Sequence, residues 1–253
     1  IEERDAKGAM KAWQECRVRA PHDPYTIFLR ARIHLLMGEH RAALRVLTPL
    51  FDAPMSAEVA EKVYNLAGQC ARFLGAADKA VAFYARARDA APNLALRALN
   101  ASNVLFNRHY LPAAPAEERK AAEEYGSLFA AIQGLDHRAH RRRQPLRIGY
   151  LSPDVREHVV LSFSYALMTA LDPARFAVTV YALGAEDAYT EQVKRSVQDF
   201  RNLSRLTPEA AAYAIYRDGI DILVDLAGHT AGSTLPILAY RPAPVQISGI
   251  GYF

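Results

Sequence analysis

The stretch LRIGYLSPDVREH, residues 146–158, decides the fold of the second half of this chain. Its first seven residues are mostly apolar, which predicts a strand buried on both faces of a parallel sheet. A polar loop follows at once, and His158 lies just beyond the strand. Ligands of open α/β sheets bind outside the carboxyl ends of the strands, so this loop is a candidate site.

A second stretch, IDILVDLAGHT at residues 220–230, repeats the same design. An apolar run again ends in a polar loop, which here carries Asp225, His229 and Thr230. Parallel strands end at the same edge of a sheet, so His158 and His229 are predicted to face one crevice.

Strands and helices alternate between residues 146 and 253. The pattern predicts strands at Leu146–Ser152, Phe176–Leu183, Phe200–Leu203, Ile220–Leu226 and Val245–Gly249, and helices at 159–170, 188–198, 208–217 and 232–239. Such alternation is typical of right-handed crossovers and a parallel sheet. Residues 146–253 are therefore predicted to form a Rossmann-like domain.

This domain lacks the glycine-rich loops that bind nucleotides in other α/β proteins. No Gly-x-Gly-x-x-Gly follows the first strand, and no phosphate loop with Gly-Lys-Ser/Thr is present. No Asp-x-Asp pair and no His/Cys cluster has the spacing of a metal site. We therefore predict neither a dinucleotide cofactor nor a bound metal.

His158 follows Asp154 by four residues in the first loop. Imidazole titrates near neutral pH, so His158 is a candidate general base or a donor to a bound sugar. A histidine in such a loop can equally be a surface or capping group, and the spacing leaves both interpretations open. The same two interpretations hold for His229 beside Asp225.

Residues 1–110 carry a helical repeat. A small–large–small set recurs along the chain as Ala9, Trp13, Cys16, as Ala43, Leu47, Leu50 and as Ala80, Tyr84, Ala87. The preceding helices repeat as well, with a turn glycine at Gly38 and Gly75 and with Tyr64, Ala67, Gly68 returning as Ala98, Ala101, Ser102. The pattern resembles the tetratricopeptide repeat, whose helix pairs bury their apolar faces by stacking. The large residues are therefore predicted to be core.

Residues 111–145 are predicted to join the two domains. Pro115 with Glu117 and Glu118 suits a helix start, and this helix is predicted to run about five turns, to near Gly134. The basic run at 137–143 is either a phosphate or nucleic-acid patch or a solvated linker. We predict the linker and no nucleic-acid partner, because no aromatic residues interleave the arginines.

Two further expectations concern single residues and the composition. Asp218 and Asp221 are predicted only to cap and solvate the turn at 217–221. The net charge of +4, with 51% hydrophobic and 23% charged residues, is that of a globular protein with a mildly basic surface. Cys16 and Cys70 are the only cysteines, which favours a reducing compartment such as the cytoplasm.

No apolar run approaches the roughly 18 residues needed to span a bilayer, so no membrane association is predicted. The chain begins at Ile1 without a methionine and ends at Phe253 just after an apolar segment. We therefore expect it to be part of a larger protein.

Four ordered segments resemble the O-linked N-acetylglucosamine transferases that carry tetratricopeptide repeats, a family that includes Spindly-type O-fucosyltransferases. They are LRIGYLSPDVREH at 146–158, FAVTVYAL at 176–183, DGIDILVDLAGHTAG at 218–232 and RPAPVQISGIGY at 241–252. The repeats and the segment NASNVLFNRHY at 100–110 are in register with the same family. The resemblance therefore covers nearly the whole chain.

The resemblance implies an inverting, metal-independent GT-B glycosyltransferase with two Rossmann-like lobes. This chain would supply the last repeats and the N-terminal catalytic lobe, and the complete protein would transfer N-acetylglucosamine from UDP-N-acetylglucosamine to Ser or Thr of an acceptor polypeptide. His158 stands at the position of the family's active-site histidine. Asp154, Asp225, His229 and Thr230 would bind substrate.

Two alternatives stay open. One is an O-fucosyltransferase that uses GDP-fucose, and the other is a repeat scaffold with a non-catalytic α/β lobe. In the resembling family the second lobe holds most nucleotide contacts, including a lysine that stabilises the leaving group. The resemblance therefore implies that this chain alone is inactive as a transferase.

Overall fold

A computed structural model describes residues 6–252, apart from the side chains of Ala6, Lys7, Ala9 and Ala12. The predicted repeat position Ala9 therefore lies outside the described side chains. The chain divides into two compact units, Ile1–Leu128 and Phe129–Phe253. The predicted joint at 111–145 spans the boundary between them.

The first unit is helical. Its helices are α1 (Ala6–Arg19), α2 (Pro24–Leu36), α3 (His40–Leu47), α4 (Ala57–Phe73), α5 (Ala77–Ala90), α6 (Leu94–Arg108) and α7 (Pro115–Ser127), with a 3₁₀ turn at Thr48–Leu50. Local sequence starts three of them, since the side chains of Asp23, Ser56 and Asn93 accept hydrogen bonds from the first backbone N–H groups of α2, α4 and α6. None of the helices described between residues 6 and 252 is long and apolar enough to cross a membrane.

The repeat predicted from the sequence is confirmed within this unit. The residues of its second and third copies are buried, namely Ala43, Leu47, Leu50, Ala80, Tyr84 and Ala87. Gly38 and Gly75 both adopt a left-handed turn, with φ of 75° and 73°. A Cβ atom at Gly68 would lie 2.8 Å from the Tyr84 ring, so α4 and α5 approach closely because residue 68 is glycine.

Helix α7 is shorter than predicted, because it ends at Ser127 and not near Gly134. Gly126 and Ser127 have weak helix propensity, and the Ser127 hydroxyl donates to the carbonyl of Glu124 at 2.7 Å. The helix therefore ends where its own side chains begin to compete for backbone carbonyls.

The second unit is a five-stranded parallel sheet with helices on both faces. Its elements are β1 (Leu146–Ser152), α8 (Val159–Thr169), β2 (Phe176–Ala182), α9 (Ala188–Ser196), β3 (Asp199–Asn202), α10 (Pro208–Asp218), β4 (Ile222–Asp225), α11 (Leu235–Leu238) and β5 (Val245–Ser248). The strand order is β3-β2-β1-β4-β5, so Ile148 in β1 pairs with Val178 on one side and with Ile222 on the other. The predicted fold class, helical repeats followed by a Rossmann-like sheet, is confirmed.

Alternate residues of the central strands pack on opposite faces of the sheet. Tyr150 and Val180 join a core with α8 and α9, whereas Leu151 and Tyr181 join a core with α10 and α11. This two-sided burial explains why the strands read as continuous apolar runs. Helix α11 is shorter than the predicted 232–239, because Gly232 takes a left-handed conformation with φ of 76°.

The basic run and the two turn aspartates are less solvated than predicted. Asp221 is buried, and its two oxygens accept from the backbone N–H of Arg147 at 2.8 Å and bond Nε2 of His140 at 2.7 Å. Asp218 accepts from the Tyr181 hydroxyl at 2.7 Å. Both carboxylates replace water with donors from elements distant in sequence, so the prediction that they only cap and solvate a turn was wrong. Within the basic run, residues 138, 139 and 141–143 are exposed, as a solvated linker requires, whereas His137 and His140 are half-buried.

Candidate active site

The loop after β1, residues 153–158, is fixed by the first turn of α9. The backbone N–H of Glu157 donates to Oδ2 of Asp187 at 2.7 Å, and the Thr190 hydroxyl donates to the carbonyl of Val155 at 2.6 Å. The other oxygen of Asp187 caps α9 by accepting two backbone N–H groups of that helix. These backbone hydrogen bonds, that from Glu157 first, lower the pKa of Asp187.

His158 is the N-cap residue of α8, so the capping interpretation is realised. Its Nδ1 atom accepts the backbone N–H of Val160 at 3.3 Å. A neutral imidazole whose Nδ1 atom accepts carries its proton on Nε2, which makes Nε2 a donor. The side chain is 36% exposed, so this donor can reach a bound molecule. Capping and substrate binding are therefore compatible in one residue.

Asp154 lies beside His158, with its Oδ2 atom 3.6 Å from Nδ1 of the imidazole. Its backbone N–H donates to the Ser152 hydroxyl at 3.0 Å, and its Oδ1 atom lies 3.4 Å from Nη2 of Arg156. To act as a general base through Nε2, His158 must carry its own proton on Nδ1. Asp154 is the carboxylate placed to accept a hydrogen bond from that Nδ1–H group. The observed geometry matches the donor role more closely.

A cavity of about 730 Å³ opens beside His158. Its walls come from the end of the first loop, the first two turns of α8 and the first turn of α9. Asp225, His229 and Thr230, which the structure describes, are not among its lining residues. The parallel strands β1 and β4 end at the same edge of the sheet, but of the two histidines only His158 lines this cavity. The cavity is therefore not the common crevice that was predicted.

Asp225 organises the loop after β4. Its side chain is fully buried, and Oδ1 accepts from the N–H of Ala227 at 2.8 Å and from the Thr234 hydroxyl. Oδ2 accepts from the N–H of Gly228 at 2.9 Å and from the Ser248 hydroxyl at 2.6 Å. Both oxygens are thus engaged within the protein, and substrate contact by Asp225 stays a prediction.

His229 and Thr230 lie on the loop that Asp225 holds. The His229 ring meets the Tyr252 ring edge to face, with centroids 5.0 Å apart and an interplanar angle of 81°. The Thr230 hydroxyl donates to the carbonyl of Ala227 at 2.8 Å, which leaves its oxygen able to accept. Both residues are half-buried, as side chains that line a rim are.

The loops after β1 and β4 touch at Pro153 and Gly232. A Cβ atom at Gly232 would lie 2.8 Å from Cβ of Pro153, so the contact requires glycine. Gly184, after β2, packs even more closely against the Pro153 carbonyl. The loops that leave three neighbouring strands therefore converge on Pro153. They lie at the carboxyl edge of the sheet, where the strand order reverses between β1 and β4.

Sequence reasoning missed the residues that hold the site together. Asp187 accepts a hydrogen bond from the loop after β1. Thr234 and Ser248 donate hydrogen bonds to Asp225. Tyr252 packs against the His229 ring. Only Asp187 had a local signal, since an Asp three residues before a Thr at a helix start favours a capping arrangement.

The first unit has a groove of its own along α2, α4 and α6. It encloses about 530 Å³, and its lining includes Asn65 and Gln69. The Gln69 amide donates to Oδ1 of Asn65 at 2.6 Å, and the Asn65 amide donates to Oδ1 of Asn100 at 2.7 Å. A chain of amide groups therefore runs across this helical face.

Residues 130–253 match the sequence model of glycosyl transferase family 41. The Arabidopsis thaliana protein named "Probable UDP-N-acetylglucosamine--peptide N-acetylglucosaminyltransferase SPINDLY" is 39% identical over 114 residues, which are 43% of this chain and 12% of that protein. A Caenorhabditis elegans protein named "UDP-N-acetylglucosamine--peptide N-acetylglucosaminyltransferase" is 35% identical over 112 residues, 43% of this chain and 10% of that protein. The match thus spans only a small part of each relative.

The fold matches a solved structure over 98% of this chain, that of a mutant O-GlcNAc transferase from Thermobaculum terrenum. The TM-score is 0.75 at 25% sequence identity, and the match covers 48% of that protein's chain. The resemblance predicted from the sequence is confirmed by these findings.

Proposed function

We propose, taking the match of residues 130–253 to glycosyl transferase family 41 as the premise, that this chain is part of a protein O-glycosyltransferase. The complete enzyme transfers N-acetylglucosamine from UDP-N-acetylglucosamine to a Ser or Thr hydroxyl of an acceptor polypeptide. This chain contributes the repeats and the N-terminal catalytic lobe of a GT-B enzyme. The family match is the observation that carries the proposal.

The reaction makes two demands on the protein. The acceptor oxygen attacks the anomeric carbon while the bond to the diphosphate breaks, so the hydroxyl must be oriented and must lose its proton. The charge that develops on the departing diphosphate must also be stabilised. His158, with an Nε2 donor just beyond β1, meets the orienting part of the first demand by positioning the acceptor or the sugar. Because that nitrogen already carries a proton, the acceptor proton passes to solvent water.

The loop after β4 supplies the second part of the site in this proposal. Asp225 acts through the loop that it holds, because both its oxygens are bonded within the protein. His229 and Thr230 then present a ring and a hydroxyl oxygen to the substrates. Since the loops after β1 and β4 touch at Pro153 and Gly232, a molecule bound at one lies close to the other.

The acceptor polypeptide is proposed to lie along the groove of the repeats. Peptide backbones present one donor and one acceptor per residue, and the amides of Asn65 and Gln69 in the lining offer complementary groups. The buried Asn100 holds the Asn65 amide in place. The groove is open and only partly polar, so it can hold an extended chain without selecting one sequence.

The proposal extends to the cofactor, the partners and the compartment. The enzyme uses no bound metal and no cofactor beyond the nucleotide sugar, and nucleic acid and membrane are not its partners. Cys16 and Cys70 are both unpaired, which supports a reducing compartment, the cytoplasm.

A transfer assay on the full-length protein tests the proposal. The protein is incubated with Ser- and Thr-containing peptides and either labelled UDP-N-acetylglucosamine or labelled GDP-fucose. We expect transfer from the UDP-sugar, and we expect His158→Ala to lower it about tenfold or more with an unchanged melting temperature. His22→Ala, an exposed histidine of the first unit, is the control and should keep full activity. Transfer from GDP-fucose alone would favour the fucosyl alternative, and no transfer from either donor would favour the scaffold.

A further inference from the structure

The cavity beside His158 has walls of mixed chemistry. Tyr165, Tyr189 and Val159 contribute apolar and aromatic surface, and Arg156 and Glu157 contribute one charge of each sign. Tyr189 is 48% exposed and Val159 is 63% exposed, so much of this apolar surface faces the cavity or solvent. Exposed apolar surface concentrated in one concave place is typical of a binding site.

The apolar surface continues out of the cavity along α8. Val159, Phe163 and Leu167 are all exposed and follow each other at four-residue spacing, which places them on one face of the helix. Eight residues of helix rise about 12 Å, the span of about four residues of extended polypeptide. The surface is therefore longer than a single sugar ring needs, and it suits a peptide segment.

The charges of the cavity argue against a nucleoside diphosphate as its occupant. Among the described lining residues, Arg156 is the one Arg or Lys, and Glu157 carries the opposite charge. Asp154 also lies 3.4 Å from the Arg156 guanidinium. A diphosphate binds where positive charge is in excess, and here it is not. An uncharged side chain attached to a backbone with its own donors and acceptors meets no such penalty.

We propose that this cavity is the subsite for an apolar or aromatic side chain of the acceptor polypeptide, adjacent in sequence to the Ser or Thr that receives the sugar. The inference rests on the proposed function. His158 lies in the lining, so a side chain seated between Tyr165 and Tyr189 brings the neighbouring hydroxyl to the imidazole. The flanking polypeptide continues over the exposed face of α8.

Peptide binding to the full-length protein tests this subsite without requiring turnover. Fluorescein-labelled peptides with a single Ser are compared by anisotropy, one with Leu and one with Asp beside the Ser. We expect the Leu peptide to bind about tenfold more tightly, because burying a Leu side chain contributes about 1.5 kcal/mol or more. Equal affinities would overturn the proposal.

Substitutions at Tyr189 test whether the cavity causes the preference for the Leu peptide. Tyr189→Ala should abolish most of the Leu preference, and Tyr189→Phe should keep it, because the ring rather than the hydroxyl forms the wall. Tyr213→Ala is the matched control, since Tyr213 on α10 is 42% exposed and does not line the cavity. A Leu preference that survives Tyr189→Ala would overturn the proposal.

A photo-crosslinking peptide gives a direct position. With benzoylphenylalanine in place of the Leu, crosslinks are expected within residues 156–165 or 189–192, and crosslinks confined to the groove of the repeats would contradict the subsite.

The experiments distinguish failure of the subsite proposal from failure of the transferase proposal. If no sugar is transferred but the preference and the crosslinks persist, the subsite stands and the transferase proposal fails. If transfer proceeds equally to both peptides and they bind equally, only the subsite fails.

Discussion

The Oδ2 atom of Asp154 lies 3.6 Å from the Nδ1 atom of His158, while that nitrogen accepts a backbone N–H of α8. The separation is too long for a hydrogen bond but short enough for attraction between a carboxylate and a protonated ring. Asp154 therefore distinguishes two roles for His158. A donor imidazole does not need the carboxylate, whereas a general base needs it to hold the Nδ1 proton.

Asp154→Asn is predicted to change the rate of sugar transfer by no more than about twofold in the full-length protein, because an imidazole that donates through Nε2 does not need the carboxylate. His158→Gln should retain more activity than His158→Ala, since a side-chain amide can also donate. Both comparisons are made by steady-state kinetics, with melting temperatures recorded for each variant. If Asp154→Asn lowers the rate as far as His158→Ala, the imidazole acts as the base.

Asp187→Asn is predicted to release the loop at residues 153–158 without unfolding α9. An asparagine oxygen can still cap the helix, but its NH₂ group cannot accept the N–H of Glu157. Amide hydrogen exchange at Glu157 should therefore become faster, and transfer should fall. Asp23→Asn, at the N-cap of α2, is the control and should leave exchange at Glu157 unchanged.

The same carboxylate predicts a pH dependence of stability. The folded pKa of Asp187 is lowered by the N–H groups that it accepts, first that of Glu157, so its contribution is fully present above the ordinary pKa of about 3.9. The contribution is lost as pH falls through the lowered folded value. The difference in melting temperature between the wild type and Asp187→Asn should thus be constant at neutral pH and shrink on acidification below about pH 4. A difference that grows on acidification would contradict this assignment.

Gly232→Ala is predicted to destabilise the second unit more than Gly219→Ala does. Both glycines have positive φ, 76° and 66°, so both alanines carry the same backbone penalty. Only the Cβ atom at residue 232 would overlap another residue, Pro153 at 2.8 Å, whereas the nearest atom to residue 219 is a guanidinium nitrogen at 3.6 Å. The overlap should add about 1–3 kcal/mol, measured as the difference in unfolding free energy in urea. Equal costs would mean that the two loops do not meet.

Gly68→Ala and Tyr84→Leu are predicted to be coupled in the first unit. The new methyl group overlaps the buried Tyr84 ring at 2.8 Å, so Gly68→Ala alone should cost about 1–3 kcal/mol. Removing the ring makes room for the methyl group, so the double variant should be more stable than the sum of the two changes implies, by about 0.5–3 kcal/mol. Additive costs in a double-mutant cycle would show that the helices can move apart.

The elements of the second unit could be predicted from the sequence because each has its own local signal. The strand Leu146–Ser152 coincides with its predicted bounds, and α10 begins at Pro208 after its Thr207 cap as expected. The predictions failed at the ends of two helices, since α7 stops just after Gly126 and α11 starts only after Gly232. From the sequence pattern alone, a glycine among apolar residues cannot be assigned to a continuing helix or to a turn.

The candidate site could be placed by strand ends, but its internal bonds could not. The bond from Ser248 to Asp225 and the bond from Glu157 to Asp187 join residues far apart in sequence, and no spacing encodes such a pair. Asp221 shows the same limit, because its partner His140 precedes the whole sheet. Local sequence therefore predicts which loops carry chemistry and leaves their architecture open.

The strand order determines when the central strand of the second unit can pair with both neighbours during translation. The central strand β1 is the first of the five to leave the ribosome, yet Ile148 obtains its second neighbour only when Ile222 arrives. Until β4 is synthesised, the backbone N–H and C=O groups along one edge of β1 have no strand to pair with. An unpaired apolar strand slows folding and favours association with other chains. Translation through α10 is therefore the interval in which a nascent copy most needs protection.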